Sequence, residues 1–182
     1  MHVPIDSYMR FLQGDINALS EIVSTYREGL ILYLNTYVHD IYLAEDLTEE
    51  TFVKLILKKP RLKNSGAFKT WLYTIAGNLA RDHLRASKRL EDSLEDHPYL
   101  ADMEVLEHSY IRQENKRMVH KALEKLKPEY RQVLWLVYFE DFSNKEAAKV
   151  LKKSVHNTEV LVSRARKALK EILLKEGYTY EE

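Results

Sequence analysis

Apolar residues at three-to-four spacing run through most of this chain and leave little room for anything but helices. Between Asn17 and Val38 they fall at Leu19, Ile22, Val23, Tyr26, Leu30, Tyr33, Leu34 and Tyr37. That spacing lays one apolar stripe along a helix of 3.6 residues per turn, whereas a half-buried strand alternates. Tyr42–Leu57 repeats the pattern with Leu43, Leu47, Thr51 and Leu55. A short helix, Tyr8–Leu12, precedes the turn-like Gly14-Asp15. In KKPRLKNSG (58–66), Pro60 and Gly66 resist helix, and a further helix is expected over Ala67–Arg89. With 5 Gly and 4 Pro in 182 residues, the turns that many short strands would need are missing.

The C-terminal part continues the pattern. A helix is expected over Ser109–Leu126, and Pro128 suits the first turn of another, Glu129–Phe139. Ser143-Asn144-Lys145-Glu146 has the form of a capping box, opening a short helix that ends near Leu151. Lys152-Lys153-Ser154 makes a tight turn, Ser154 caps the last helix, and Gly177 ends it. The expected fold class is all-α: two small helical domains, 1–90 and 109–182, joined by an acidic linker, 91–108, with a helix-turn-helix in the second.

The formal charge is zero, from 28 basic and 28 acidic residues, but the charges are sorted. Residues 54–89 carry ten Lys/Arg and one acid, Asp82. Residues 91–107 (EDSLEDHPYLADMEVLE) carry seven acids and no Lys or Arg. Residues 108–182 carry sixteen basic residues and eleven acids. A neutral total thus accommodates two basic surfaces and an acidic connector, although charge runs also arise as solvated faces.

Catalytic and metal chemistry find no footing. There is no cysteine, which excludes disulfides, thiolate zinc and a cysteine nucleophile. The seven histidines form no HExxH or similar set, and no phosphate-cradling glycine loop or GxSxG is present. Asp40, Glu45, Asp46, Glu49 and Glu50 cluster without matching histidines, which favours a solvated helix face over a metal site. No catalytic residue, metal or cofactor is expected. MHVPIDSYMRFLQGD has no basic segment followed by an apolar run, so no signal peptide or membrane insertion is expected, and the default location is the cytoplasm.

Two stretches suit nucleic acid. On a 100° wheel, Val155, Val162, Ala165, Leu169 and Ile172 form the buried side of the last helix, flanked by Leu161 and Ala168. His156, Val160, Ser163, Lys167 and Lys170 lie opposite, with Asn157 and Arg164 beside them. Arg164, Arg166, Lys167 and Lys170 suit phosphates, and His156, Asn157, Val160 and Ser163 suit base edges. Val160 can meet a thymine methyl, and Glu159, at the border of the groove, can accept from a cytosine amino group or simply keep wrong sequences away. The simpler alternative is an amphipathic helix whose basic end its dipole favours. In GAFKTWLYTIAGNLARDHLRASKR (66–89), Trp71, Leu72, Ile75, Leu79 and Leu84 form an apolar face beside Lys69, Asn78, Arg81, Arg85, Lys88 and Arg89. Aromatics next to cations suit opened nucleic acid, although Trp71 at this spacing also suits a core.

Three ordered blocks complete the pattern: YLAEDLTEETFVKLI (42–56), FKTWLYTIAGNLARDHLR (68–85) and LKPEYRQVLWLVYFEDFSNKEAAKVLKKSVHNTEVLVSRARKAL (126–169). Together they resemble a bacterial sigma factor of the small extracytoplasmic-function (group 4) type. The resemblance implies that Asp46, Glu49, Glu50 and Phe52 bind core RNA polymerase. It implies that Lys63, Asn64, Ser65 and Gly66 form a loop capturing a flipped base of the opened −10 strand, beside Asn78, Arg81, Asp82 and Arg85. His156, Asn157, Glu159, Val160, Ser163, Arg164, Arg166, Lys167 and Lys170 then read the −35 duplex. The linker would thread toward the RNA path, and an anti-sigma factor is an expected partner. The family often has Gly where Lys152 sits, a basic residue where Glu159 sits and a polar one where Leu161 sits, so an unusual promoter is expected. A stand-alone helix-turn-helix regulator accounts for 143–170 alone, and a helical adaptor or anti-sigma-like module needs no DNA.

Overall fold

The computed structural model describes residues 5–91 and 114–177, all of whose regular elements are helical. The helices form two compact units, one within Met1–Ala101 and one within Asp102–Glu182. Glu91 is the last residue of its helix, and the rest of the expected linker, with the expected helical start at 109–113, lies outside the described residues.

The first unit contains α1 (Ile5–Leu12), α2 (Ile16–Val38), α3 (Ile41–Lys58) and α4 (Ser65–Glu91). Short polar side chains set the starts. Asp15 caps α2 by accepting from the Asn17 N–H, and Asp40 caps α3 by accepting from the Tyr42 and Leu43 N–H groups. The Asn64 side chain accepts from the Ala67 N–H at 2.8 Å. This cap starts α4 at Ser65, ahead of the expected Ala67, because Gly66 in a capped first turn does not break it. His39 and Lys59 end α2 and α3 in the left-handed conformation.

Helix α2 is the centre of this unit, packed against α1, α3 and α4. Every residue from Leu30 to Tyr37 is buried, so its second half is enclosed on all sides and not amphipathic as expected. Its buried threonine, like those of α3, is answered locally: Thr36, Thr48 and Thr51 donate to the carbonyls of Tyr33, Ala44 and Leu47.

The second unit contains α5 (Glu114–Glu124), α6 (Pro128–Leu134), α7 (Asn144–Leu151) and α8 (Val155–Lys175). Pro128 occupies the first turn of α6 as expected. The single helix expected over 129–139 does not persist. From Trp135 to Phe139 the backbone widens to a π turn, with the Glu140 N–H bonded to the Trp135 carbonyl. The Trp135 and Phe139 rings stack there at 4.5 Å and 1°. The capping box is present: Ser143 accepts from the Glu146 N–H while the Glu146 carboxylate accepts from the Ser143 N–H. Helix α8 crosses α5, α6 and α7, and around it Val133, Leu134, Leu136, Ala147, Val150, Val162, Ala165 and Leu173 make the core.

Candidate polymerase and nucleic-acid interface

The three surfaces expected from the sequence stand on different elements. On α3, Asp46, Glu49 and Glu50 are exposed, and Phe52 is 7 % exposed. The ring is therefore largely covered within the first unit, and little of it is open to a partner. The apolar groups beside the acids are others: Val53 and Leu57 are 50 % and 77 % exposed. Asp46, Glu49/Glu50, Val53 and Leu57 follow one another at helical spacing, so acids and bare aliphatics share one stripe. The signal was available, since these positions lie opposite Leu47, Thr51 and Leu55. A lone exposed aliphatic means little, but a row of them continuing an acidic stripe suits a protein partner.

The loop between α3 and α4 presents Arg61, Lys63 and Asn64 to solvent, while Ser65 and Gly66 are half-buried. Ser65 is tied back, its Oγ accepting from the Ile5 N–H at 3.0 Å. On α4, Asp82 and Arg85 are exposed and pair at 3.6 Å; an ion pair this open contributes little. Trp71 and Ile75 are half-buried, Leu72 and Leu79 are buried, and Leu84 is 41 % exposed, so the expected apolar face fades toward the helix end.

Asn78 and Arg81 are joined to a network that sequence reading missed. Arg81 donates to Asn78 Oδ1 at 2.9 Å and to the Tyr37 hydroxyl at 3.2 Å, and Tyr37 shares a 2.9 Å hydrogen bond with the Tyr33 hydroxyl. Burial raises both phenol pKa values, that of Tyr33 well above the ordinary range, so both are neutral at working pH. The spacing of Tyr33 and Tyr37 marked them as core, and nothing local tied them to α4.

In the second unit, Ser154 accepts from the Asn157 N–H at 3.1 Å and fixes the start of α8. His156, Asn157, Glu159, Ser163, Arg164, Arg166, Lys167 and Lys170 are all exposed. Val160 is half-buried and not fully outward. Val155, expected in the buried stripe, is 42 % exposed, and Thr158 takes the buried place at 0 %, its hydroxyl donating to the Ser154 carbonyl. Ser163, Arg166, Lys167 and Lys170 also edge a cavity of about 660 Å³ floored by Val119, Leu134, Phe139 and Leu169. Among the described residues, no group of three or more His, Asp or Glu is placed to hold a metal. Nor is any helix there long and apolar enough to cross a membrane.

Two family models match this chain in order: sigma-70 region 2 over residues 22–90, and sigma-70 region 4 over residues 116–169. RNA polymerase sigma-H factor of Pseudomonas aeruginosa is 32 % identical over 174 residues, spanning 90 % of each chain. The chain belongs to the sigma-70 family of RNA polymerase sigma factors. The ECF factor SigW of Bacillus subtilis is 26 % identical over 171 residues, covering 88 % of this chain and 91 % of SigW. Two solved structures share the fold, each at 22 % identity. They are CnrH with the cytosolic domain of CnrY, at TM-score 0.65 over 92 % and 94 % of the two chains, and RpoE of Bartonella quintana with the anti-sigma factor NepR, at 0.67 over 87 % and 98 %. In this sigma factor the region 2 match takes in α3, the 59–64 loop and α4, and the region 4 match takes in the helix-turn-helix of α7 and α8. Helix α1 lies outside both.

Proposed function

We propose that this sigma factor divides its work among the three surfaces. The α3 stripe of Asp46, Glu49, Glu50, Val53 and Leu57 docks on core RNA polymerase, acids against a basic surface and aliphatics against apolar contacts. The 61–64 loop, with Ser65 and Gly66 in the first turn of α4, takes a flipped base of the opened non-template strand, while Asn78, Arg81, Asp82 and Arg85 line the strand's path. Unstacking a base costs a few kcal/mol, which a pocket and phosphate contacts offset. Helix α8 enters the −35 major groove, with His156, Asn157 and Glu159 toward bases and Arg164, Arg166, Lys167 and Lys170 toward phosphates.

The observation that carries this reading is that one chain presents, in order, an exposed acidic–aliphatic helix, a basic loop opening a helix, and a capped helix-turn-helix. A stand-alone duplex-binding regulator has use only for the last. The protein itself makes and breaks no covalent bond; it acts in the cytoplasm, where polymerase and promoter are. The exposed α3 stripe and the basic face of α8 are surfaces an anti-sigma factor would cover.

The test is run-off transcription with core polymerase over a fragmented genomic library. New start sites sharing a two-part upstream element are expected only when the protein is added. If duplex binding occurs with no new start site, the protein is a regulator acting without polymerase.

A further inference from the structure

Helix α1 precedes the region 2 match and has no role in the division of labour above. Its contacts are nevertheless directed. The Tyr8 hydroxyl donates to the Pro60 carbonyl, 52 residues away, and the Ile5 N–H donates to Ser65 Oγ, 60 residues away. Pro60 opens the basic loop and Ser65 closes it, so both ends are tied to one helix. A third contact sits beside the first: Lys59 Nζ lies 5.5 Å from the centre of the Phe11 ring. Between these anchors Arg61 and Lys63 are exposed to solvent, and Asn64 is exposed while its side chain caps the start of α4.

Tyr8 is built for more than filling space. It is 1 % exposed, and its ring packs on Phe68 of α4 at 4.6 Å and near Phe11 at 6.3 Å. Phenylalanine would satisfy those packing contacts. The hydroxyl adds one thing, the bond to Pro60, and burial lifts its pKa to about 12, so it remains a donor at any working pH. The Pro60 carbonyl lies just after the chain leaves α3 at the left-handed Lys59, at the start of the connection to α4. A loop held at both ends has fewer conformations to lose when it closes on a ligand, which is how preorganisation raises affinity.

We propose that α1 braces the base-capture loop and that Tyr8 is its positioning residue, holding residues 60–66 in the shape that receives an unstacked base. This rests on the reading of that loop as the opened-strand site. The role is separate from docking on core polymerase, since no contact described here involves the α3 stripe.

The experiment uses the full chain assembled with core polymerase. The probe is a labelled single strand carrying the non-template sequence upstream of a start site mapped by run-off transcription. Tyr8→Phe keeps the ring and deletes the hydroxyl. Ile5→Pro deletes the other donor at the first residue of α1, where proline is tolerated. Each variant is expected to bind the strand about fivefold to tenfold more weakly, the size of one lost hydrogen bond. Trypsin is expected to cut faster after Arg61 and Lys63 in both free variants, with affinity for core polymerase unchanged and the melting temperature of the free protein lowered by no more than the few degrees one hydrogen bond accounts for.

Lys63→Ala and Asn64→Ala serve as reference variants. If they lose strand binding while Tyr8→Phe and Ile5→Pro match the parent in both binding and cleavage, the brace is wrong. If strand binding, core binding and melting temperature fall together, Tyr8 is core packing and the brace is again wrong. If Lys63→Ala and Asn64→Ala bind normally, the base-capture reading itself fails, and the role assigned to α1 falls with it.

Discussion

Arg81 meets Tyr37 across 44 residues of sequence, its guanidinium donating to the phenol oxygen at 3.2 Å and lying 5.8 Å from the ring centre. The phenol is itself held by Tyr33, and the other end of the guanidinium is held by Asn78. Two side chains assigned to the opened strand are therefore oriented by α2 before any DNA arrives. Fixing them in advance removes an entropic cost from binding.

Gly77 makes room for this arrangement. A Cβ there would lie 3.1 Å from the Tyr33 hydroxyl and 3.3 Å from Arg81 Nη1. Gly→Ala inside a helix ordinarily gains about 1 kcal/mol. Here Tyr33 is fully buried and bonded to Tyr37, so crowding of about 1–3 kcal/mol outweighs that gain. Gly77→Ala is expected to lower stability by about 1 kcal/mol in chemical denaturation and to weaken opened-strand binding, because Arg81 is the group able to yield. A stabilised variant with unchanged strand binding would show the network to be slack.

Lys152 ends α7 at φ 56° and ψ 43°, a conformation that costs a residue with a Cβ about 1 kcal/mol. Lys152→Gly is expected to raise the stability of the second unit by about 0.5–1 kcal/mol. Lys152→Ala keeps the strain and is the control. Equal midpoints for glycine and alanine in a denaturant titration would remove strain as the cause.

Lys167 is exposed on α8 at the lip of the cavity. As a phosphate contact it should act on every sequence alike. Lys167→Ala is expected to weaken −35 duplex binding uniformly and to reduce the slope of log K against log salt by about 0.9. Anisotropy titrations on several duplexes over a range of salt check this. A loss confined to one promoter sequence would make Lys167 a base reader instead.

Three phenols, Tyr8, Tyr33 and Tyr37, have pKa values raised by burial, that of Tyr8 to about 12. A raised pKa means that the folded state keeps protons the unfolded chain gives up. Stability is then full below the ordinary phenol value of about 10 and falls as pH climbs toward the raised one. Denaturation midpoints measured upward from pH 9 should hold and then drop. Tyr8→Phe should make the drop shallower by up to about 1.4 kcal/mol per pH unit, which separates the phenol from lysine titration over the same range. An unchanged slope in that variant would mean the Tyr8 hydroxyl ionises as freely folded as unfolded.

Legibility divided by the range of the interaction. Helical periodicity, the Ser143–Glu146 box, the Ser154 cap and the Gly177 stop are contests settled within a few residues, so sequence alone determined them. The helix-turn-helix followed from the same local rules, and so did the exposure of nearly every polar residue of α8. Choices between faces were settled elsewhere. Phe52 or Val53, Val155 or Thr158, and the direction of Arg81 depend on which surfaces neighbouring helices cover, and spacing alone does not report that. The π turn at 135–139 and the ties from α1 to Pro60 and Ser65 were equally hidden. The ties from α1 depend on partners brought together only by the folded unit, up to 60 residues apart in the chain.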